Sequence, residues 1–283
     1  MIRLAIQKSG RLSDDSLKLI RECGISFIST TSKLKTEATN FPLEILFLRD
    51  DDIPGYVADG VADIGIVGQN VLVEEGLQRL TVKNLGFSKC RLSLAVSKGD
   101  TYPDVSSLQG KSIATSYPNL LQEFLTSKGV TADIHTISGS VEIAPSIGLA
   151  DAVCDIVSSG STLISNGLRE VETVFKSEAV LIANQNLGQE KNRLLQQLLF
   201  RMEAVQKAQK SKYVVLNAPN SAIPQIKPLL PGIKSPTIIP LATEGWSSLH
   251  SVVNEDDFWD IIQKLKEAGA EGILVVPIEK MIS

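Results

Sequence analysis

The chain has 283 residues, 43% of them hydrophobic and 21% charged, an ordinary globular composition with length enough for two or three domains. Its net charge of -4 argues against a general nucleic-acid or membrane-surface role, because either normally needs an excess of basic charge. Three widely spaced cysteines and two histidines supply neither a disulfide framework nor a histidine or cysteine metal cluster.

The first strand reads as "IRLAIQ". The apolar run between Arg3 and Lys8 is too short for the core of a secretion signal, and no segment approaches the roughly 18 apolar residues that span a bilayer. A soluble, reduced, cytoplasmic protein is expected. "SDDSLKLIRECG" reads as a helix, with Ser13 as N-cap candidate, acids in its first turn and Gly24 as its stop. After the strand "LEILFLR", the stretch "RDDDIPGYVADG" repeats that grammar, with Asp52 as cap candidate and Pro54 early in the helix.

Two later stretches echo each other. "GVADIGIVG" (Gly60 to Gly68) and "GLADAVCDIVSSG" (Gly148 to Gly160) share a Gly-x-Ala-Asp turn that leads from a helix into an apolar strand. The echo makes the first ~190 residues two similar α/β lobes of ordinary domain size, with the change of lobe near "LAVSKGDTYPDVSSLQG", where Gly, Pro and Ser cluster. Such lobes hold a ligand between them, at strand C-terminal ends. Residues 189–210 place Leu195, Leu198, Leu199, Met202 and Val205 on one helical stripe. The remainder reads as strand, helix, strand, strand, helix, strand, the ferredoxin-like order, with Asn254 capping the last helix and Gly269 ending it. The expected divisions are 1–93 with 178–210 for lobe I, 94–177 for lobe II and 211–283 for a C-terminal domain suited to ligand sensing or assembly.

The chemistry concentrates in "CDIVSSGSTL" (Cys154 to Leu163). Small residues at a strand-to-helix junction expose consecutive backbone N–H groups, and the hydroxyls of Ser158, Ser159, Ser161 and Thr162 around Gly160 add donors, so the loop can cradle a phosphate. Asp155, inside the strand, would repel that phosphate if it shared the pocket and suits a hydroxyl pair or a bound cation. A sugar phosphate satisfies both. Read alone, the loop is equally a plain turn. Glu142 lies where a helix starts and leads back into the Asp155 strand, so both carboxylates can converge on one ribose. In the other lobe "QKSGRL" offers Lys8 and Arg11 as cations, Ser9 and Gly10 for close approach, and a following helix N-terminus, a second anion site. Asp63 in the echo turn and Arg91 in "KCRLSLA" are further candidates, as are Thr115, Ser116 and Tyr117 at another junction.

The spacing Glu142, Gly148, Ala150, Val153, Asp155, Ser159, Gly160, Thr162, Leu163 resembles the signature of the ATP phosphoribosyltransferases, which open histidine biosynthesis. "QKSGRLSDDSL", "RDDDIPGYVADGVADIGIVG", "GKSIATSYPNLL", "SPTIIPLA" and "GILVVPIEKM" resemble further motifs of that family, and the C-terminal 70 or so residues resemble the regulatory domain of its long form. The resemblance implies two lobes like those of periplasmic binding proteins, a catalytic cleft and a ferredoxin-like regulatory domain. It implies transfer of phosphoribose from 5-phosphoribosyl 1-pyrophosphate to N1 of the adenine of ATP, with Mg2+ and no covalent nucleophile. Ser158 to Thr162 would hold the 5-phosphate, and Glu142 and Asp155 the ribose hydroxyls. Lys8, Ser9, Gly10, Arg11, Asp63 and Arg91 would serve ATP, and Thr115, Ser116 and Tyr117 the pyrophosphate end. Asn217, Thr237 and Gly272 would meet histidine as inhibitor. The family also implies a homo-oligomer, dimer to hexamer, with no direct protein ligand assigned to the metal. Two positions depart from its pattern: Gln69 replaces a Glu and Ser146 an Arg. A nucleobase-salvage phosphoribosyltransferase and a two-lobed solute-binding protein are the competing readings.

Overall fold

The computed structural model describes residues 1–28, 34–230 and 232–282. By mutual contact the chain divides into two compact units: Met1–Lys18 with Ile25–Asn192, and Leu19–Gly24 with Arg193–Ser283. The first unit holds two sheets. In chain order its elements begin β1 (Ile2–Gln7), α1 (Arg11–Glu22), β2 (Lys35–Glu37), β3 (Leu43–Leu48), α2 (Ile53–Ala58), β4 (Ile64–Gly68), α3 (Gln69–Glu74) and β5 (Thr81–Asn84). Then come β6 (Cys90–Ser97), β7 (Ser112–Thr115), α4 (Pro118–Ser127), β8 (Asp133–Thr136), β9 (Ala152–Val157), α5 (Ser161–Ser165), β10 (Leu168–Ser177) and β11 (Ala179–Ala183). The next helix, α6 (Gln189–Gln209), belongs from Arg193 onward to the second unit and not, as expected, to lobe I through residue 210.

The first sheet runs β2-β3-β1-β4-β11-β5 and the second β10-β6-β9-β7-β8. At the centre of the first, β1 pairs in parallel with β3 and β4. Alternation of buried and exposed side chains is absent there: Leu4, Ala5, Ile6, Leu43, Ile45, Ile64 and Ile66 are all fully buried, as expected where helices cover both faces of a parallel sheet. The second sheet repeats the device, with β7 parallel to β8 and β9. Its β6 pairs from Cys90 and Arg91 onward with Ser177 and Lys176 of β10. The lobe therefore changes before Cys90 and not at 93/94, because ladder pairing starts with the first residue of β6. The chain returns at Glu178, the single residue between β10 and β11.

The Gly-x-Ala-Asp echo has one structural meaning in both lobes. Asp63 accepts the Arg3 backbone N–H at 2.8 Å and Asp151 accepts that of Ser112 at 2.8 Å. Each acid thus ties the start of its own strand to the start of the parallel neighbour.

Several caps differ from expectation. α1 begins at Arg11, directly after Gly10 at φ +95°, so Ser13 lies inside the helix and is buried. Asp52 sits at the α2 cap position in helical conformation and makes no side-chain cap bond, because the three acids Asp50–Asp52 form a 3-10 turn of their own. Glu142 lies in a 3-10 turn, Val141–Ile143, and not at the start of an α-helix. Along α6 the buried stripe includes Leu194, Leu195, Leu198, Met202 and Val205, while Leu199 falls outside it.

The second unit adds β12 (Ser211–Pro219), α7 (Ile223–Ile226), β13 (Thr237–Pro240), β14 (Trp246–Asn254), α8 (Phe258–Glu267) and β15 (Glu271–Pro277). Its antiparallel sheet runs β13-β14-β12-β15, the ferredoxin-like arrangement. Val214, Leu216, Leu249, Val253, Ile226 and Leu265 form its core. α8 begins at Phe258, so Asn254 does not cap it; Asn254 Oδ1 accepts the Asp256 N–H at 3.3 Å instead. Gly269, at φ +92° just past the helix, supplies the left-handed stop. Among the described residues no helix is long and apolar enough to cross a membrane.

Candidate active site

The parallel strands of both sheets end at one cleft, because each crossover returns the chain in the same direction. Gln7 ends β1, Gly68 ends β4, and Val157 ends β9. A cavity of about 300 Å³ there is lined by Gly10, Arg11, Asp50, Asn70, Tyr117 and Ser158 among others. Strand C-terminal ends are where α/β sheets hold ligands.

The two loops singled out from sequence face each other across it. Arg11 Nη1 donates to Ser158 Oγ at 2.6 Å, over 147 residues of chain. Beyond Ser158 the backbone turns through Gly160 at φ +82° into the short α5, a left-handed conformation that glycine alone adopts without strain. Ser159 and Ser161 hydroxyls lie 3.0 Å apart. Ser159, Ser161 and Thr162 are exposed and Ser158 is half-buried, so the donors at the start of α5 are open to a ligand. Lys8 and Ser9 are exposed beside the cleft, and Gly10 lines it.

Asp155 is half-buried on β9, opposite Ser93 of β6. Its Oδ1 accepts the Ile156 N–H at 2.7 Å. Burial pushes its carboxyl up, and the nearby Glu142 carboxylate adds to that shift. Two acids within electrostatic reach, with one paired only to its neighbour's backbone, form a site that welcomes hydroxyl donors or a cation.

Arg91 has a different position from the one expected. Its Nε and Nη2 grip both oxygens of Glu170, whose carboxyl is held below the usual range by that guanidinium. Ser93 also donates to Glu170, at 2.8 Å, and Arg91 Nη1 donates to the Ser158 carbonyl at 3.3 Å. Arg91 is therefore already neutralised and braces the loop from behind. Gln69 borders the same side of the cleft, in an adjoining hollow with Lys89, Arg91, Lys176 and Glu178. Ser146 lies on the surface and donates to the Ile143 carbonyl.

Three candidates leave the site. Asp63 stands at the N-terminal end of β4, away from the ligand ends of the strands, with its side chain 5% exposed and paired to Arg3 and Lys191; it ties the central strands β4 and β1 together. Thr115 is fully buried and its hydroxyl accepts the Tyr117 N–H at 2.9 Å, which shapes the turn into α4. Ser116 spends its hydroxyl on the Ile137 carbonyl at 2.7 Å. Tyr117 does line the cleft, where its OH accepts from Asn70 Nδ2 at 3.0 Å and burial, with Asp50 nearby, raises its phenol.

Sequence reading missed four residues here. Asn70 bridges the lobes through Tyr117 and also accepts from Ser177 Oγ at 2.7 Å. Glu74 accepts the backbone N–H groups of Asn119 and Leu120 at the start of α4, at 2.8 and 3.0 Å. Glu170 is the third. Asp50 is the fourth: it lines the cleft, and its Oδ1 is buried with no hydrogen-bond partner. Its place just after a parallel strand was the available signal.

In the second unit Asn217, Thr237 and Gly272 share the sheet face opposite α7 and α8. Thr237 pairs with His250 and Asn217 with Ser248, and a Cβ on Gly272 would lie 3.5 Å from Asn217 Nδ2. Between them His250 bonds Tyr213 OH at 2.8 Å and Ser248 Oγ at 3.2 Å.

Comparison with known proteins accounts for both units. A family model described as ATP phosphoribosyltransferase matches residues 49–204, and one described as HisG, C-terminal domain, matches 208–280. The ATP phosphoribosyltransferase of Cytophaga hutchinsonii is 64% identical over 282 residues, covering 100% of this chain and 99% of its own. That of Parabacteroides distasonis is 59% identical over the full length of both. Among solved structures, an ATP phosphoribosyl transferase (HisG:HisZ) complex from Thermotoga maritima contains a chain 30% identical to this one. It superposes with a TM-score of 0.60 and covers 72% of this chain and 99% of that one. With one family model matching residues 49–204, a second matching 208–280, and relatives of the same length at 64% and 59% identity, the chain belongs to the ATP phosphoribosyltransferase family, in the long form, the enzymes that catalyse the first step of histidine biosynthesis.

Proposed function

We propose that lobe II holds 5-phosphoribosyl 1-pyrophosphate and that the Lys8–Arg11 loop of lobe I brings ATP to it. The 5-phosphate lies on Ser158 to Thr162, the ribose hydroxyls on Asp155 and Glu142, and Arg11 spans the two sites. The observation that carries this reading is the bond from Arg11 to Ser158 beside the Asp155 and Glu142 pair. The adenine N1 lone pair bonds to ribose C1 while the C1–O bond breaks and pyrophosphate leaves with its electrons. Alignment of the two and stabilisation of an oxocarbenium-like ribose supply the acceleration, so no protein nucleophile is needed.

Among the described residues no group of three or more His, Cys, Asp or Glu side chains could cage a metal ion. Mg2+, however, commonly takes one or two carboxylates and completes its shell with substrate phosphates and water, a donor set that Asp155 and Glu142 fit. When bound, it neutralises the departing pyrophosphate.

The open sheet face around Asn217, Thr237 and Gly272 is the histidine sensor in this reading. The exposed apolar residues Ile238, Ile239, Leu274 and Val276 on the two edge strands suit assembly of a homo-oligomer, dimer to hexamer, in the cytoplasm. Pyrophosphate release with 5-phosphoribosyl 1-pyrophosphate tests the site: ATP supports it, free adenine does not, and Asp155→Asn slows it with ATP. Release with adenine in place of ATP would defeat this reading.

A further inference from the structure

Asp50 has no place in the reaction as described so far, yet among the described residues it is the cleft acid whose carboxylate oxygen is both fully buried and without a partner. It follows β3 and lines the cavity together with Arg11, Asn70, Tyr117 and Ser158. Other cleft-side acids are engaged: Asp15 by Ser88, Glu74 by the α4 backbone, Glu170 by Arg91 and Asp155 by Ile156. Asp50 Oδ1 is buried and receives no donor. An acceptor left so is costly unless a ligand supplies the proton donor.

The substrates limit what that donor can be. The ribose hydroxyls of phosphoribosyl pyrophosphate go to lobe II, and phosphates offer only acceptors. ATP offers its own two ribose hydroxyls and the 6-amino group of its adenine; of these only the 6-amino group adjoins the nitrogen that reacts and gains positive charge in the reaction, which favours an anionic acceptor there. We propose that Asp50 reads the adenine, accepting the 6-amino N–H of ATP on its free oxygen and steadying the positive charge that spreads onto that nitrogen as N1 bonds to ribose C1. This inference rests on the assignment of the cleft to ATP and phosphoribosyl pyrophosphate.

The electron count supports the role. As the N1–C1 bond forms from the N1 lone pair and the C1–O bond breaks toward pyrophosphate, the base becomes a cation shared by N1, C6 and N6. A proton can then pass from N6 to Asp50 and on to water, leaving a neutral imino product. Interactions that strengthen as charge develops lower the barrier, whereas equal binding of substrate and transition state does not. Burial and the neighbouring Asp51 place the Asp50 carboxyl at about 6, in a range where it both holds and releases a proton near neutral pH. The other ionisable groups near it are Tyr117 and Cys90, both of which its charge affects, and Arg11, which also acts on Cys90.

The test compares ATP with purine riboside 5′-triphosphate, which keeps N1 and lacks the 6-amino group. The parent, Asp50→Asn and Asp50→Ala are each assayed for kcat/KM with both nucleotides, and phosphoribosyl pyrophosphate binding is titrated alongside. Intrinsic reactivity of the two bases cancels in the ratio of ratios. The parent should favour ATP, and Asp50→Ala should lose about 10- to 100-fold of that preference while binding phosphoribosyl pyrophosphate as the parent does. The acid limb of the parent's pH profile near 6 should vanish in Asp50→Asn. An undiminished preference in both variants overturns the inference, as does a parent that does not distinguish the nucleotides or a defect that added Mg2+ repairs. A parent that releases no pyrophosphate from phosphoribosyl pyrophosphate in the presence of ATP would instead defeat the assignment of the cleft, a result separable from all of these.

Discussion

Replacing Asp155 with Asn should make the free protein more stable and the enzyme slower. Asp155 is disfavoured as an anion by burial and then by the Glu142 carboxylate, both of which raise its pKa. Asn keeps the oxygen that accepts the Ile156 N–H and removes the repulsion. Substitutions that relieve functional-site strain typically add about 0.5–2 kcal/mol, which for a domain of this size is roughly 1–8 °C in Tm. The sign with pH follows from the direction of the shift. A folded-state pKa above the unfolded value makes the parent relatively most stable below the unfolded pKa of about 3.9, and that advantage is lost as pH rises through the raised folded value. The stability gap between Asp155→Asn and parent should therefore be small in acid and widen toward neutrality. Activity moves the other way: loss of a charge-assisted hydrogen bond to the ribose costs about 1.5–3 kcal/mol, or roughly 10- to 150-fold in kcat/KM. Thermal melts from about pH 4 to pH 8, a range that brackets the unfolded pKa and neutrality, and steady-state kinetics read both. A variant less stable than the parent with unchanged kinetics would show that the carboxylate supports the fold and refute this reasoning.

Arg11→Ala should raise the apparent constants of both substrates, because Arg11 touches the Ser158 loop from the opposite lobe; steady-state kinetics with each substrate varied checks this. Gly160→Ala meets nothing closer than Val157 Cγ1 at 3.8 Å, but its φ of +82° costs an alanine about 1–2 kcal/mol; the melt should fall modestly while phosphoribosyl pyrophosphate affinity drops more, as titration would show. Thr237→Val leaves the cleft untouched and should weaken histidine inhibition while the uninhibited rate stays near the parent's, measured by histidine dose response.

Sequence periodicity carried the architecture because its causes are local. Continuous apolar runs mark doubly covered parallel strands, as in β1 and β4, and the Gly-x-Ala-Asp turn recurs because both lobes tie parallel strands by the same bond. The Ser158 to Thr162 loop was visible for a similar reason: only Gly160 accepts the left-handed turn that points the flanking donors outward. What was not legible depends on partners far away in the chain. Arg91 reads as a free cation until Glu170, 79 residues on, is seen to hold it. Thr115 reads as an available hydroxyl until the turn into α4 claims it. Asp63 was misplaced although its position at the start of a strand already set it at the wrong end for a ligand. Asp50 was read within a triplet of acids as part of a helix start, and only burial without a partner separates it from Asp51 and Asp52.

The most direct test of the central claim is the electron density of the protein crystallised with 5-phosphoribosyl 1-pyrophosphate and Mg2+. The account predicts the 5-phosphate on the backbone and hydroxyls of Ser158 to Thr162, with both ribose hydroxyls within hydrogen-bond distance of Asp155 and Glu142. A 5-phosphate seated on the Lys8 to Arg11 loop, with Asp155 and Glu142 touching no part of the sugar, would contradict it.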